Sequence, residues 1–262
     1  MTLKSMMLAL ASAGALLAAS APAQAQNARD LNGRWDNGDG VSFVDSSVDA
    51  KGNICVRYCG QTLSEEEKAK VAEVRRVNMP KYKPEFTAKV EELHKTQVTT
   101  DPALRCGNPG LPRIGMPDQI VQTKDRMFFL YDDLSGAFFR IIPTNTRKHR
   151  EDADPSTFGD AVAWWEGDTL VVESINFDDS TWLTDNGAFH TDRMKVTERL
   201  QRKGQTLHWQ ATVEDPGVLA EPWKSNPRTA KFTTEDLLEA PPCVEQSIAK
   251  MPDLSDFHTN VR

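Results

Sequence analysis

Beyond its first 25 residues the chain has no apolar run approaching the roughly 20 residues that cross a bilayer. It also lacks an excess of positive charge: 31 Lys and Arg stand against 38 Asp and Glu, a formal net charge of −7. Without a basic stripe to hold phosphates, neither a nucleic acid nor an anionic membrane surface is an expected partner. The signatures of common site chemistries are missing as well. There is no nucleophile elbow, phosphate loop, dinucleotide fingerprint or EF-hand, and no H-E-x-x-H or C-x-x-C. Nucleotide and calcium chemistry are therefore not expected, and neither a cofactor nor a metal is predicted. Internal repeats are absent.

The N-terminal stretch has the organisation of a secretory signal. Lys4 gives a positive start, Met6 to Ala19 is apolar, and Ala23-Gln24-Ala25 is a small-x-small cleavage pattern. The expectation is removal of residues 1–25 and a periplasmic or secreted protein, with residues 26–262 forming a single β-rich domain. Cysteine is sparse. Cys55, Cys59, Cys106 and Cys243 are the four present, and export would send them to a compartment where disulfides persist. Four cysteines allow three pairings. The favoured one joins Cys55 to Cys59 across a small loop and ties Cys106 to Cys243, with zinc ligation the weaker alternative.

Gly, Asn, Asp and Ser dominate residues 30–60 around the strand-like patch Val41 to Val44. A helical insertion is expected over about 64–95. Ser64 and Glu67 form a capping box before Lys68 to Val77, and Pro84 opens a second segment with Phe86, Val90 and Leu93 at helical spacing. Residues 101–117 hold Pro102, Pro109, Pro112 and Pro117 together with three glycines, so an irregular loop is expected, with Cys106 as its anchor.

Strands are predicted at Met127–Tyr131, Ala137–Ile142, Ala161–Trp165, Thr169–Ile175, Met194–Gln201, Leu207–Val213 and Thr229–Thr233. Short turns at Glu166-Gly167 and Lys203-Gly204 make these neighbours antiparallel. A two-residue turn at Lys203-Gly204 would place Leu200 opposite Leu207, Glu198 opposite Trp209, Val196 opposite Ala211, Met194 opposite Val213, and Asp192 opposite Asp215. In that frame Glu198 shares a face with Met194, Val196 and Leu200, and the polar set Lys195, Thr197, Arg199 and Gln201 takes the other.

An inward carboxylate needs a partner or a use. Burial alone would favour its neutral form, the usual route to a general acid or base, whereas an inward Arg140 or Arg228 would make it half of an ion pair. The candidate catalytic set is Glu198 as acid or base, His190 as its counterpart with Asp192 as orienter, His149, and Asp215. The candidate ligand-binding set is Trp182, Trp209, Trp223 and Asp192, with Arg140 as an anchor for a substrate anion.

Leu31-Asn32-Gly33-Arg34-Trp35 resembles the G-x-W start of lipocalin-like (calycin) barrels. A longer pattern runs through Tyr82-Lys83-Pro84-Glu85, Asp101 to Cys106, Arg140 to Thr144, His149, Asp154-Pro155-Ser156, Trp165 to Val172, Thr181-Trp182, His190, Glu198-Arg199, Asp215-Pro216 and Pro222-Trp223. This pattern is similar to a widespread, largely uncharacterised family of exported bacterial proteins, over roughly residues 80–245. The resemblance implies a mainly β fold, an antiparallel lipocalin-like barrel with a short N-terminal helical segment. It also lends weight to His149, Trp182, His190 and Glu198, while Asp160 stands where the pattern has His and Asn145-Thr146 replaces an Asp-Gly turn. Two functions are consistent with these residues. One is a cofactor-free lyase, isomerase or hydrolase that acts by acid–base chemistry on an apolar or aromatic small molecule. The other is a non-catalytic small-molecule binding or carrier protein.

Overall fold

The computed structural model describes residues 27–36, 46–48, 54–56, 78–133, 135–184 and 187–237. The expected signal stretch, Val41 to Val44, the Lys68 to Val77 segment and the side chains of Cys55, Cys59 and Cys243 fall outside them. Cys106 is disulfide-bonded, and its pairing likewise lies outside the described residues.

Twelve strands are described: β1 Gly33–Asp36, β2 Ser46–Val48, β3 Ile54–Val56, β4 Gln119–Gln122, β5 Arg126–Asp133, β6 Gly136–Pro143, β7 Asp160–Glu166, β8 Thr169–Ile175, β9 Lys195–Lys203, β10 Thr206–Glu214, β11 Trp223–Lys224 and β12 Arg228–Thr233. Nine form one antiparallel sheet in the order β6-β5-β4-β1-β12-β10-β9-β8-β7. Its end strands β6 and β7 come into contact, so the sheet curls into a nearly closed barrel. β11 extends the far end of β10, and β2 and β3 pair separately. The fold is thus the mainly β barrel expected, and all seven predicted strands are present.

The β7–β8 and β9–β10 connections correct the sequence reading by one residue. Glu166 pairs with Thr169 and Lys203 with Thr206, so the turn residues are Gly167-Asp168 and Gly204-Gln205. Each turn begins on a glycine, with φ of 58° at Gly167 and 61° at Gly204. A hairpin turn with glycine first needs positive φ at that position, which pulls Gly out of the strand and into the turn. The β9–β10 register therefore slides by two: Glu198 faces Ala211, Leu200 faces Trp209 and Val196 faces Val213. A slip of two preserves faces. Val196, Glu198, Leu200 and Arg202 of β9 are buried, as are Leu207, Trp209, Ala211 and Val213 of β10.

Trp35 of the G-x-W run is wholly buried at one end of the barrel. Its indole N–H donates to the Leu31 carbonyl at 3.0 Å, Phe232 meets it edge-on, and the Arg202 guanidinium lies 5.2 Å from its ring centre. Elsewhere the wall carries helix α1, Thr87–Lys95, after a tight Pro84–Phe86 turn; a short α2, Gln97–Thr100, follows. Phe86, Val90 and Leu93 turn toward the core at the predicted helical spacing. Gly187 lets the chain approach this helix: a Cβ there would stand 2.7 Å from the Val90 carbonyl oxygen and the His94 nitrogen.

The 101–117 loop is irregular, as predicted, yet residues 109–117 are buried throughout, and Leu111, Ile114 and Met116 join the core. A buried irregular segment must satisfy its polar groups internally. Here Ile114 N–H bonds the Gly110 carbonyl and Gly115 N–H the Pro112 carbonyl. Arg113 grips the fully buried Asp101 through two 2.7 Å bonds, a second anchor that the sequence reading did not foresee.

Candidate functional site

The alternation of β9 carries Glu198 into the barrel interior, where it is wholly buried. Its small cross-strand neighbour Ala211 leaves room for the carboxylate. Arg140 reaches Glu198 across the barrel from β6, placing Nη1 2.6 Å from Oε2. The same nitrogen donates to the Tyr131 hydroxyl at 3.1 Å, and Nη2 donates to Ser174 Oγ at 3.0 Å. Trp209 Nε1–H occupies the other carboxylate oxygen at 3.1 Å. The guanidinium also lies within 6 Å of the Phe129 and Phe158 rings.

Desolvation works to lower the Arg140 pKa, but the Glu198 carboxylate and the Tyr131 hydroxyl outweigh it, and the group is held above its ordinary value. Burial likewise pushes the Tyr131 phenol up, which keeps it neutral. The expected acid or base and the expected anion anchor are therefore bonded to each other. One buried donor, Arg140 Nε, has no hydrogen-bond partner.

His190 lies before β9, buried among other groups. Its Nδ1 faces the Thr191 carbonyl at 3.1 Å, and a carbonyl only accepts, so Nδ1 carries the proton in the neutral ring. Nε2 then accepts from the Thr181 hydroxyl at 2.8 Å. Burial lowers the His190 pKa, offset in part by the Thr191 carbonyl and the Asp215 charge. The expected orienter Asp192 is exposed, and the Thr191 carbonyl takes that place. Asp192 does not face Asp215, because the two-residue register slip removes that pairing. Asp215 is buried instead, accepting from Thr191 N–H at 2.6 Å, Thr191 Oγ1 at 2.8 Å and Gly217 N–H at 2.9 Å. This is the backbone-bonding habit of Asp at a turn.

His149 is outside the barrel. Its Nδ1 lies 3.0 Å from Asp160 Oδ2 and its Nε2 3.3 Å from Glu173 Oε1. Glu173 pairs with Thr197 on the outer face, whereas the adjacent pair Val172–Glu198 points inward, so a wall of sheet separates His149 from Glu198. Arg150 clamps Asp160 from the solvent side at 2.6 Å. Burial opposes the charge on Asp160, but hydrogen bonds from Arg150 and His149 prevail and hold the carboxyl below its usual range.

The structure thus unites Glu198, Arg140 and Trp209, groups His190 with Asp215 around Thr191, and leaves His149 outside the barrel. Trp182 and Trp223 are buried, with the Trp223 indole donating to the Asn78 carbonyl at 2.9 Å. Among the described residues no cluster of three or more His, Cys, Asp or Glu is arranged to hold a metal, and no helix is long and apolar enough to cross a membrane.

A feature the sequence reading passed over lies on the outer face of β4–β5–β6. Phe139 is 65% exposed, Ile141 46% and Val121 40%. The registers set Ile141 beside Phe128 and Phe128 beside Val121, while Phe139 adjoins Leu130, so the apolar surface is continuous over three strands. Along β5 the outward residues are Arg126, Phe128, Leu130 and Asp132, two apolar positions between opposite charges. The signal was present as unbroken apolar runs, Met127 to Tyr131 and Phe138 to Ile142 interrupted only by Arg140. An antiparallel strand covered on one face alternates, and these do not. No family model, curated protein or solved structure matches this chain.

Proposed function

We propose that this protein is an exported, non-catalytic binding protein that docks an apolar or aromatic partner on the outer face of β4–β5–β6. The observation that carries the reading is the exposure of Phe139, Ile141 and Val121 on one continuous surface. Scattered surface hydrophobics need no explanation, but a contiguous apolar patch on a sheet face commonly marks an interaction site. Phe139 alone leaves about 130 Å² of ring in water, taking ~200 Å² for the whole side chain. Covering that ring is worth about 3 kcal/mol at ~25 cal/mol per Å².

The acid–base reading has less support. Both Glu198 oxygens are hydrogen-bonded by buried side chains, and the other titratable candidates are not assembled around it. The test uses 1-anilinonaphthalene-8-sulfonate, a sulfonated probe whose aromatic rings fluoresce on apolar surface. Native protein should bind the dye with a fluorescence rise that the Phe139→Ser/Ile141→Thr double variant loses, at unchanged far-UV dichroism. Equal dye binding by the two proteins would defeat the proposal.

A further inference from the structure

We infer that the partner fitted by this face is a second copy of the same chain, packed outer face to outer face about a two-fold axis that crosses the strands. This inference rests on the docking-face reading above and adds the partner's identity. Charge complementarity along β5 identifies that partner. Arg126, Phe128, Leu130 and Asp132 form a single outward row, positive at one end, negative at the other and apolar between.

A two-fold axis in the interface and parallel to the strands would set Arg126 against Arg126 and Asp132 against Asp132. An axis across the strands reverses the partner's strands and sets Arg126 against the partner subunit's Asp132 at one end, with the reciprocal pair at the other. The same rotation serves β6. Phe139 is level with Leu130 and Ile141 with Phe128, so Phe139 of one copy meets the partner subunit's Ile141. The most exposed ring is then buried against an aliphatic side chain, with no like charges opposed.

Charge also disfavours the nearest rival, an anionic lipid surface, because the chain carries a net charge of −7. Three strands present less than the ~800 Å² per partner of stable complexes, so the dimer is weak, with a dissociation constant on the order of 100 µM.

Sedimentation velocity of the purified protein from 5 to 500 µM reads the equilibrium, a range chosen to bracket roughly that constant. The expected result is a monomer–dimer equilibrium that Phe139→Ser abolishes. Arg126→Glu alone and Asp132→Arg alone should each weaken it at least tenfold, and the two together should restore it, since the swapped charges again face opposites. Added salt should reduce the difference between single and double variants.

A monomer at every concentration overturns the self-association. If Phe139→Ser still removes dye binding, the docking face stands with another occupant; if it does not, the face itself falls. Binding of the monomer to phosphatidylglycerol vesicles, lost in Phe139→Ser, would assign that occupant to a lipid surface. A dimer indifferent to all of these substitutions places the interface elsewhere and overturns the inference.

Discussion

Replacing Arg140 with Met should be among the most damaging single changes in the barrel. The substitution keeps the aliphatic bulk near Phe129 and Phe158 but strips the fully buried Glu198 of its 2.6 Å partner. It also removes donors from Tyr131 and Ser174, leaving Glu198 only the indole N–H of Trp209. Breaking one side of a buried ion pair costs about 3–5 kcal/mol, because the remaining charge stays desolvated. Against a total stability of about 5–15 kcal/mol this is a large share. For a domain of this size it lowers Tm by roughly 6–20 °C.

Guanidinium unfolding followed by far-UV dichroism measures the loss, with an unchanged m-value expected if the unfolded chain is unaffected. The double variant Arg140→Met/Glu198→Leu should recover much of it, since an apolar replacement of a whole buried pair is often near neutral. Recovery will be incomplete, because the Tyr131 and Ser174 hydroxyls lose a partner at about 1–3 kcal/mol each. Lys148→Ala, which breaks the exposed pair with Glu151, is the control and should leave the midpoint unchanged. An Arg140→Met cost below about 1 kcal/mol, or a double variant that costs the sum of the two singles, would refute the claim that these residues brace the barrel.

Acid should destabilise the fold in two windows. His190 has a folded pKa below its unfolded value, so stability falls as pH drops below about 6.5, where only the unfolded chain takes up the proton. Asp160, depressed by Arg150 and His149, adds a loss that begins near about pH 4 and runs down through its folded value. Tm measured from pH 8 to 3 should show both steps, and His190→Gln should flatten the first; a variant slope equal to the native one would contradict the assignment. Arg113→Met should expose the 101–117 loop to limited proteolysis by unpairing the buried Asp101, and native-like resistance would argue against that anchor. Gly187→Ala should cost more than Gly204→Ala. Both have positive φ, about 1–2 kcal/mol for an L side chain, but only Gly187 also pushes a Cβ into helix α1. Equal melting temperatures for the two variants would refute that packing.

Alternation on β9 and β10 was sufficient to turn Glu198 inward, because a one-residue slip would expose Val196, Leu200 and Trp209 together. The register itself depended on which turn position the glycine occupies, and nothing in the Arg-Lys-Gly-Gln-Thr run of residues 202–206 distinguishes the two placements before φ is known. Arg140 was one of two arginines considered as partner for Glu198. Choosing it required the closed barrel, since β6 and β9 are far apart in the sheet order and meet only across the interior. His149 and His190 share loop positions and residue type, which says nothing about which side of a sheet each will occupy. The buried 101–117 loop was hidden for a related reason. Its prolines and glycines forbid regular structure, but whether an irregular segment lies over a core or within it depends on whether it can satisfy its own polar groups, as Arg113 does with Asp101, a pairing that no helical or strand periodicity signals.

Hydroxyl-radical footprinting of Phe139 across a dilution series tests the docking face most directly. In dilute protein Phe139 should be oxidised rapidly while the wholly buried Phe129, the inward-facing partner of Arg140 on β5, stays protected, and Phe139 should become protected as concentration rises. Phe139 as unreactive as Phe129 at the lowest concentration would mean that the face is already covered within a single chain, and the proposed function would fail with it.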